Sequence, residues 1–270
     1  MELITSRSNP KVKQARALRQ RKARQESELF LVEGLRHLGE AVEAGAHIKQ
    51  VFYSPDLLRT PFAEKLVAGL GNRGVACSPV SAEVLASLAD KDNPQGVVAV
   101  LRQPVTRLAD LHPGNFAWGA ALLDPADPGN LGAVLRSVDA VGAGGVLLLS
   151  SALDGAGTVD PYHPSVVCAS MGTLFWKPVI SATFEEFSTW AVRHAYHVYG
   201  TSAHAAVDYR SLESYDLPAI LLLGSEREGL TPEQAACCEV LLRLPMRGHA
   251  TSLNLAVAAG VLLYDMLAKL

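Results

Sequence analysis

Cysteine is scarce in this 270-residue chain, and what there is makes no framework. Cys77, Cys168, Cys237 and Cys238 include one adjacent pair and no C-x-x-C spacing. That excludes a zinc ribbon and a disulfide scaffold, and it reads as a cytoplasmic protein with free thiols. Long hydrophobic runs are missing too. The longest uncharged stretches, ending at Trp176 and at Tyr264, carry His and Ser and fall short of the roughly 18–20 apolar residues of a spanning helix, so no membrane partner is expected. The opening Met-Glu-Leu-Ile-Thr-Ser-Arg lacks an apolar signal core, which argues against export. No Walker loop or GxGxxG fingerprint is present, which argues against a nucleotide-dependent oxidoreductase. His194 and His197 lie three apart with no third ligand in pattern, so they read as surface histidines, and no metal is expected.

Hydrophobic residues make up 49% and charged residues 19%, the balance of a globular protein with room for one large or two modest domains. Charge is unevenly placed. Residues 1–25 carry eight basic residues against Glu2, so they hold +7 of a chain whose net charge is −3, leaving −10 on the rest. A basic segment on an acidic body is a footprint of polyanion binding, favoured here over the alternative of a solvated helix that merely aids solubility. Arg7, Lys11, Lys13 and Arg16 are its candidate nucleic-acid contacts.

The pattern along the chain is α/β. After a helix-friendly run from Asn9-Pro10 to about Gln25, strand candidates at Phe30–Val32, Val51–Tyr53, Val75–Val80 and Gly96–Leu101 alternate with helices at Leu35–Ala44, Pro61–Leu70 and Ser81–Ala89. This order predicts a mostly parallel sheet in a unit spanning residues 1–103. Residues 104–115 contain a Pro-Gly and read as a linker. A second α/β unit spans 116–270, with strands at Ala117–Leu123, Val146–Leu149, His197–Gly200, Ala219–Gly224 and Val240–Pro245. Leu131, Val134, Leu135 and Val138 share one face of a helix, with Gly132, Arg136 and Asp139 opposite. Thr231-Pro-Glu-Gln234 is a capping box, and Ser252–Leu267 is a last helix, apolar nearly all round and therefore expected to be buried.

Three polar clusters sit where α/β proteins build sites, after strands. Asp127-Pro-Gly-Asn130-Leu-Gly132 opens a helix that carries Arg136, and Asn130 is placed to cap it. Gly224-Ser-Glu226-Arg227-Glu-Gly229 follows an apolar strand, where Glu226 could cap backbone amides. Leu244-Pro-Met246-Arg-Gly-His-Ala-Thr-Ser252-Leu253-Asn254 leads into the last helix, with Ser252 as its natural cap.

In this order and spacing the clusters resemble the three signature motifs of the SpoU (TrmH-type) RNA ribose 2′-O-methyltransferases of the SPOUT superfamily. Ala169–Phe175 looks like a further family block. Phe30–Gly34 and Asn93–Gly96 resemble the small substrate-binding domain that many members carry, so the likeness covers nearly the whole chain. It implies a small N-terminal α/β RNA-binding domain and a C-terminal parallel-sheet domain with a deep trefoil knot. It implies methyl transfer from S-adenosylmethionine to a ribose 2′-hydroxyl in a cytoplasmic homodimer. Ribosomal RNA is the first-choice substrate; transfer RNA, or a non-catalytic RNA-binding role, is the alternative. By the same resemblance Gly224, Leu244, Met246 and Leu253 would hold the cofactor. Arg136 would act on the 2′-hydroxyl, as base or as electrostatic clamp. Asn130, Glu226, Ser252 and Asn254 would complete the catalytic set. The chain departs from the pattern at Arg227, where many members have Gly, and at Cys168, where many have Arg or Lys.

Overall fold

The computed structural model describes residues 2–89, 96–152 and 157–270. Asn93–Gln95 of the resemblance above lie outside the described residues. The chain divides into two compact units, residues 1–105 with 162–175, and residues 106–161 with 176–270. Among the described residues no helix is long and apolar enough to cross a membrane.

The first unit runs α1 (Pro10–Ala17), α2 (Arg21–Ser27), β1 (Leu29–Glu33), α3 (Leu35–Glu43), β2 (Ile48–Tyr53), α4 (Pro61–Asn72), β3 (Ala76–Pro79), α5 (Ala82–Leu88) and β4 (Val97–Arg102). Its sheet order is β1-β4-β2-β3. The expectation of a mostly parallel sheet is corrected here. β4 pairs antiparallel with both β1 and β2, and only β2 and β3 are parallel. β4 is buried along Val97–Leu101, and so continuous an apolar run suits a central strand. Apolar patterning specifies burial, not direction.

The basic run forms two helices, not one. Asn9 caps α1, and the chain turns at residues 18–20. Arg24 then folds back, and its guanidinium donates to the carbonyls of Leu18 (2.8 Å) and Arg19 (2.9 Å). It thereby satisfies acceptors that the end of α1 would leave open. Arg24 is 1% exposed, so one of the eight basic residues is structural.

A later segment completes this unit. Residues 162–175 carry α7 (Pro164–Ala169), which packs on β1. Phe30 of β1 lies 4.8 Å from the Tyr162 ring and 6.4 Å from that of Phe175.

The second unit adds β5 (Trp118–Leu123), α6 (Pro128–Ala140), β6 (Val146–Ser150), β7 (Val179–Thr183), α8 (Phe184–Arg193), β8 (His197–Thr201), β9 (Val207–Asp208), β10 (Ala219–Leu223), α9 (Pro232–Ala235), β11 (Val240–Arg243) and α10 (Leu255–Lys269). All pairings of its seven-stranded sheet, β7-β6-β5-β10-β8-β11-β9, are parallel. β5, β6 and β10 are buried throughout, as strands covered on both faces should be.

Two helix expectations change. α10 is not buried all round: Val257 (51% exposed), Val261 (36%), Tyr264 (55%) and Leu267 (46%) form an open apolar stripe. Gly132 is buried with the apolar face of α6, not opposite it.

Candidate active site

Parallel strands put all their C-terminal ends at one edge. In β5, β10, β8 and β11, which are neighbours in the sheet, those ends carry the polar clusters. They surround a cavity of about 700 Å³. Its wall takes Thr201–His204 from the end of β8, Leu223–Leu230 from the end of β10, Leu242, Leu244 and Met246 from β11 onward, Thr251–Asn254 before α10 and Leu255 at its start.

The loop after β10 is held by Gly224. Ser225 and Gly229 exchange backbone hydrogen bonds of 3.1 and 3.0 Å, folding residues 225–229 back over it. A Cβ on Gly224 would stand 2.3 Å from the carbonyl carbon of Gly229 and 2.6 Å from the nitrogen of Leu230. Those are backbone atoms, so no side chain fits without moving the loop.

The helix caps differ from expectation. Asp127, not Asn130, caps α6, accepting from the Asn130 amide at 2.7 Å. Asn254, not Ser252, caps α10, accepting from Ala256 (2.9 Å) and Val257 (3.3 Å). Both shifts have one cause. Each helix begins one turn away from where the apolar pattern alone sets it, and the freed Asn130 side chain turns outward. Its Nδ2 donates to Glu226 Oε1, and its Oδ1 accepts from Asn254 Nδ2 at 2.9 Å. Three loops from three separate parts of the sequence are therefore tied through one amide.

α10 packs along α6, with Gly260 near Ser137. Since Asn130 and Asn254 also meet, the two helices run parallel and bring both N-termini to the cavity. Each N-terminus carries the positive end of its helix dipole, with the Asp127 carboxylate already seated at that of α6 and the Asn254 side chain at that of α10.

Sequence-picked residues group unequally. Asn130, Gly224, Glu226, Leu244, Met246, Ser252, Leu253 and Asn254 all line the cavity. Arg136 does not; it is exposed on α6, about 120° around the helix from Asn130. Arg7, Lys11 and Lys13 are exposed and Arg16 is half-buried, all in the first unit. Thr201, Ser202, Ala203 and His204 were not singled out by the motifs. Their signal was position alone: they directly follow the His197–Gly200 strand. Among the described residues no three His, Cys, Asp or Glu side chains converge as metal ligands.

An α/β unit with a deep cavity at its parallel strand ends, preceded by a small basic unit, defines a class, and comparison with known proteins gives it a family. Residues 120–264 match the model of the SpoU rRNA methylase family, and the chain belongs to that family. Residues 9–99 match the MRM3-like substrate binding domain. The AdoMet-bound rRNA methyltransferase structure from Sinorhizobium meliloti is 37% identical, with a TM-score of 0.87 over 98% of this chain and 97% of that one. The 23S rRNA (uridine(2479)-2′-O)-methyltransferase of Streptomyces viridochromogenes is 31% identical over 97% of this chain and 90% of its own length. The 23S rRNA (guanosine(2553)-2′-O)-methyltransferase RlmP of Bacillus subtilis is 28% identical over 98% and 99%.

Proposed function

We propose that this protein is an S-adenosylmethionine-dependent methyltransferase that modifies a ribose 2′-hydroxyl in large-subunit ribosomal RNA. The observation that carries the reading is the Glu226–Asn130–Asn254 tie, which joins all three family motifs around one cavity. The names of the relatives above support 23S rRNA as substrate, and the AdoMet-bound neighbour supports the cofactor.

The cavity fits such a cofactor. Its volume lies in the range of small-molecule sites. Leu244, Met246 and Leu253 offer apolar surface for a purine, and the space that a Cβ on Gly224 would take is already closed by backbone. When bound, S-adenosylmethionine supplies a methyl group already activated on a sulfonium. The chain's own work is alignment and charge. The tied loops hold cavity and RNA-facing residues in register.

Arg136 is the electrostatic clamp in this reading. A guanidinium is a permanently charged, donor-only group, so it is a poor base and a good partner for a phosphate or a developing oxyanion. The basic face of α1 and α2, with Lys11 and Lys13 exposed, would grip RNA backbone. That divides the labour between an RNA-binding N-terminal part (residues 1–103) and a catalytic C-terminal part (116–270). The sheet order, with β10 inserted between β5 and β8 before β11 returns beside β8, supports a knotted chain there. The open stripe on α10 supports a homodimer, and the free cysteines support a cytoplasmic setting.

The test is methyl incorporation from labelled S-adenosylmethionine into separate pools of unmodified ribosomal and transfer RNA. Label is expected at one ribose of the large-subunit RNA. Arg136→Ala should abolish it and leave cofactor affinity nearly intact. Label in transfer RNA alone would move the substrate, and no label despite cofactor binding would overturn the activity.

A further inference from the structure

The first unit contains a second cavity, about 260 Å³, that the methyl-transfer reading does not use. Leu31, Val98 and Val167 form apolar wall, while Arg19, Glu33, His37, Ser165 and Cys168 supply polar atoms, the Glu33 carboxylate being a second acceptor for an amino group. Cys168 is short where a long basic side chain would occupy the space. His37 presents a ring nitrogen to the cavity. Its Nδ1 lies 3.1 Å from the Glu33 carbonyl oxygen, which can only accept, so Nδ1 donates. Nε2 is left as an acceptor in the neutral ring, and it is buried with no hydrogen-bond partner. A buried polar atom without a partner is costly, and a ligand that donates to it removes the cost. Arg19, exposed at the end of α1, joins the cavity to the basic face of α1 and α2.

We propose that this cavity receives one unstacked nucleobase that carries an exocyclic amino group, taken from the RNA strand lying on that basic face. This rests on the RNA-binding reading above. Apolar walls suit the faces of a base, and the His37 acceptor suits an amino donor. A base-free polyanion would stay on the basic face and leave the cavity empty.

The experiment uses the full chain and the Cys168 thiol as reporter. Alkylation by iodoacetamide is followed by peptide mass spectrometry with a ten-nucleotide oligoadenylate, a ten-nucleotide oligouridylate, heparin or adenosine present. Oligoadenylate should slow Cys168 alkylation at least about fivefold. Oligouridylate should slow it less, and heparin not at all, with half-buried Cys237 of the second unit as unchanged reference. His37→Leu should lose the protection at an unchanged melting temperature. Cys168→Trp should weaken oligoadenylate binding about fivefold by fluorescence anisotropy, whereas Cys168→Ser should not. Equal slowing by heparin, protection by adenosine but not by the oligomer, or no protection when oligoadenylate is bound would each overturn the proposal. Ribosomal RNA methylation measured in parallel separates the readings: intact methylation without Cys168 protection removes only the base cavity.

Discussion

Asn130 works because an amide carries a donor and an acceptor on one short side chain. It gives the donor to Glu226 and the acceptor to Asn254. Asn130→Asp would set a second carboxylate against Glu226 and remove the donor. Glu226 is exposed, so the stability loss should stay below about 1 kcal/mol. The loops, however, lose their common tie. Cofactor affinity by calorimetry should fall about tenfold, equivalent to about 1.4 kcal/mol; unchanged affinity would separate the tie from the cofactor site. Gly224→Ala makes a steric version of the same case. Its methyl would meet Gly229 and Leu230 backbone, so the loop must shift. We expect a folded protein by circular dichroism that has lost most of its cofactor affinity. Tyr196 governs a pH response. Burial raises its phenol to about 12, and its hydroxyl donates to the Phe116 carbonyl. A raised pKa contributes stability that is complete below the unfolded value near 10 and is lost as pH climbs from there through about 12. Melting temperature should therefore drop across that window, and Tyr196→Phe should flatten the drop.

Elements differ in how legible they were. β5, β6 and β10 are unbroken apolar runs, and the sequence marks them because a strand buried on both faces admits little else. β7 and α8 were missed. β7 is only partly buried, and α8, opened by a Thr183–Glu186 capping box and burying Phe187, Trp190 and Ala191, is signalled by its cap as much as by its apolar face. The direction of β4 was illegible for a different reason, since strand pairing is settled by contacts far apart in sequence. Around the cavity, the family resemblance points to Gly224, Leu244 and Met246, which line it, whereas Thr201–His204 lie at the end of β8 with no motif of their own. The α1–α2 junction shows the same gap. Nothing in a basic run says which arginine turns inward, yet Arg24 does. Arg24→Met should cost about 2–3 kcal/mol in urea denaturation, because it removes charge-assisted bonds and strands two carbonyls. Lys22→Ala, at an exposed pair with Glu26, should change stability by less than about 0.5 kcal/mol.

At the scale of the whole molecule, the proposed homodimer would connect assembly to activity through the open stripe on α10. Val257, Val261, Tyr264 and Leu267 recur at helical spacing, and an exposed apolar face of that length marks an interaction surface. The same helix begins at Asn254, inside the tie that orders the cavity, and packs along α6, which carries Arg136. A second copy seated on the stripe would therefore bear on both helices that frame the site, and a two-fold pairing would do so for both copies at once. Val261→Lys places a charge in the middle of the stripe while leaving the buried face of α10, at Ala259, Leu262, Leu263 and Met266, untouched. Sedimentation equilibrium should show a dimer for the native chain and a monomer for the variant, with the melting temperature of the monomer lowered but its circular dichroism retained. Methyl incorporation into ribosomal RNA should fall with the loss of dimer, because α6 and α10 would no longer be braced from outside. A monomeric variant with full activity would show that one protomer is the complete enzyme; a native chain that sediments as a monomer would assign the stripe to another partner.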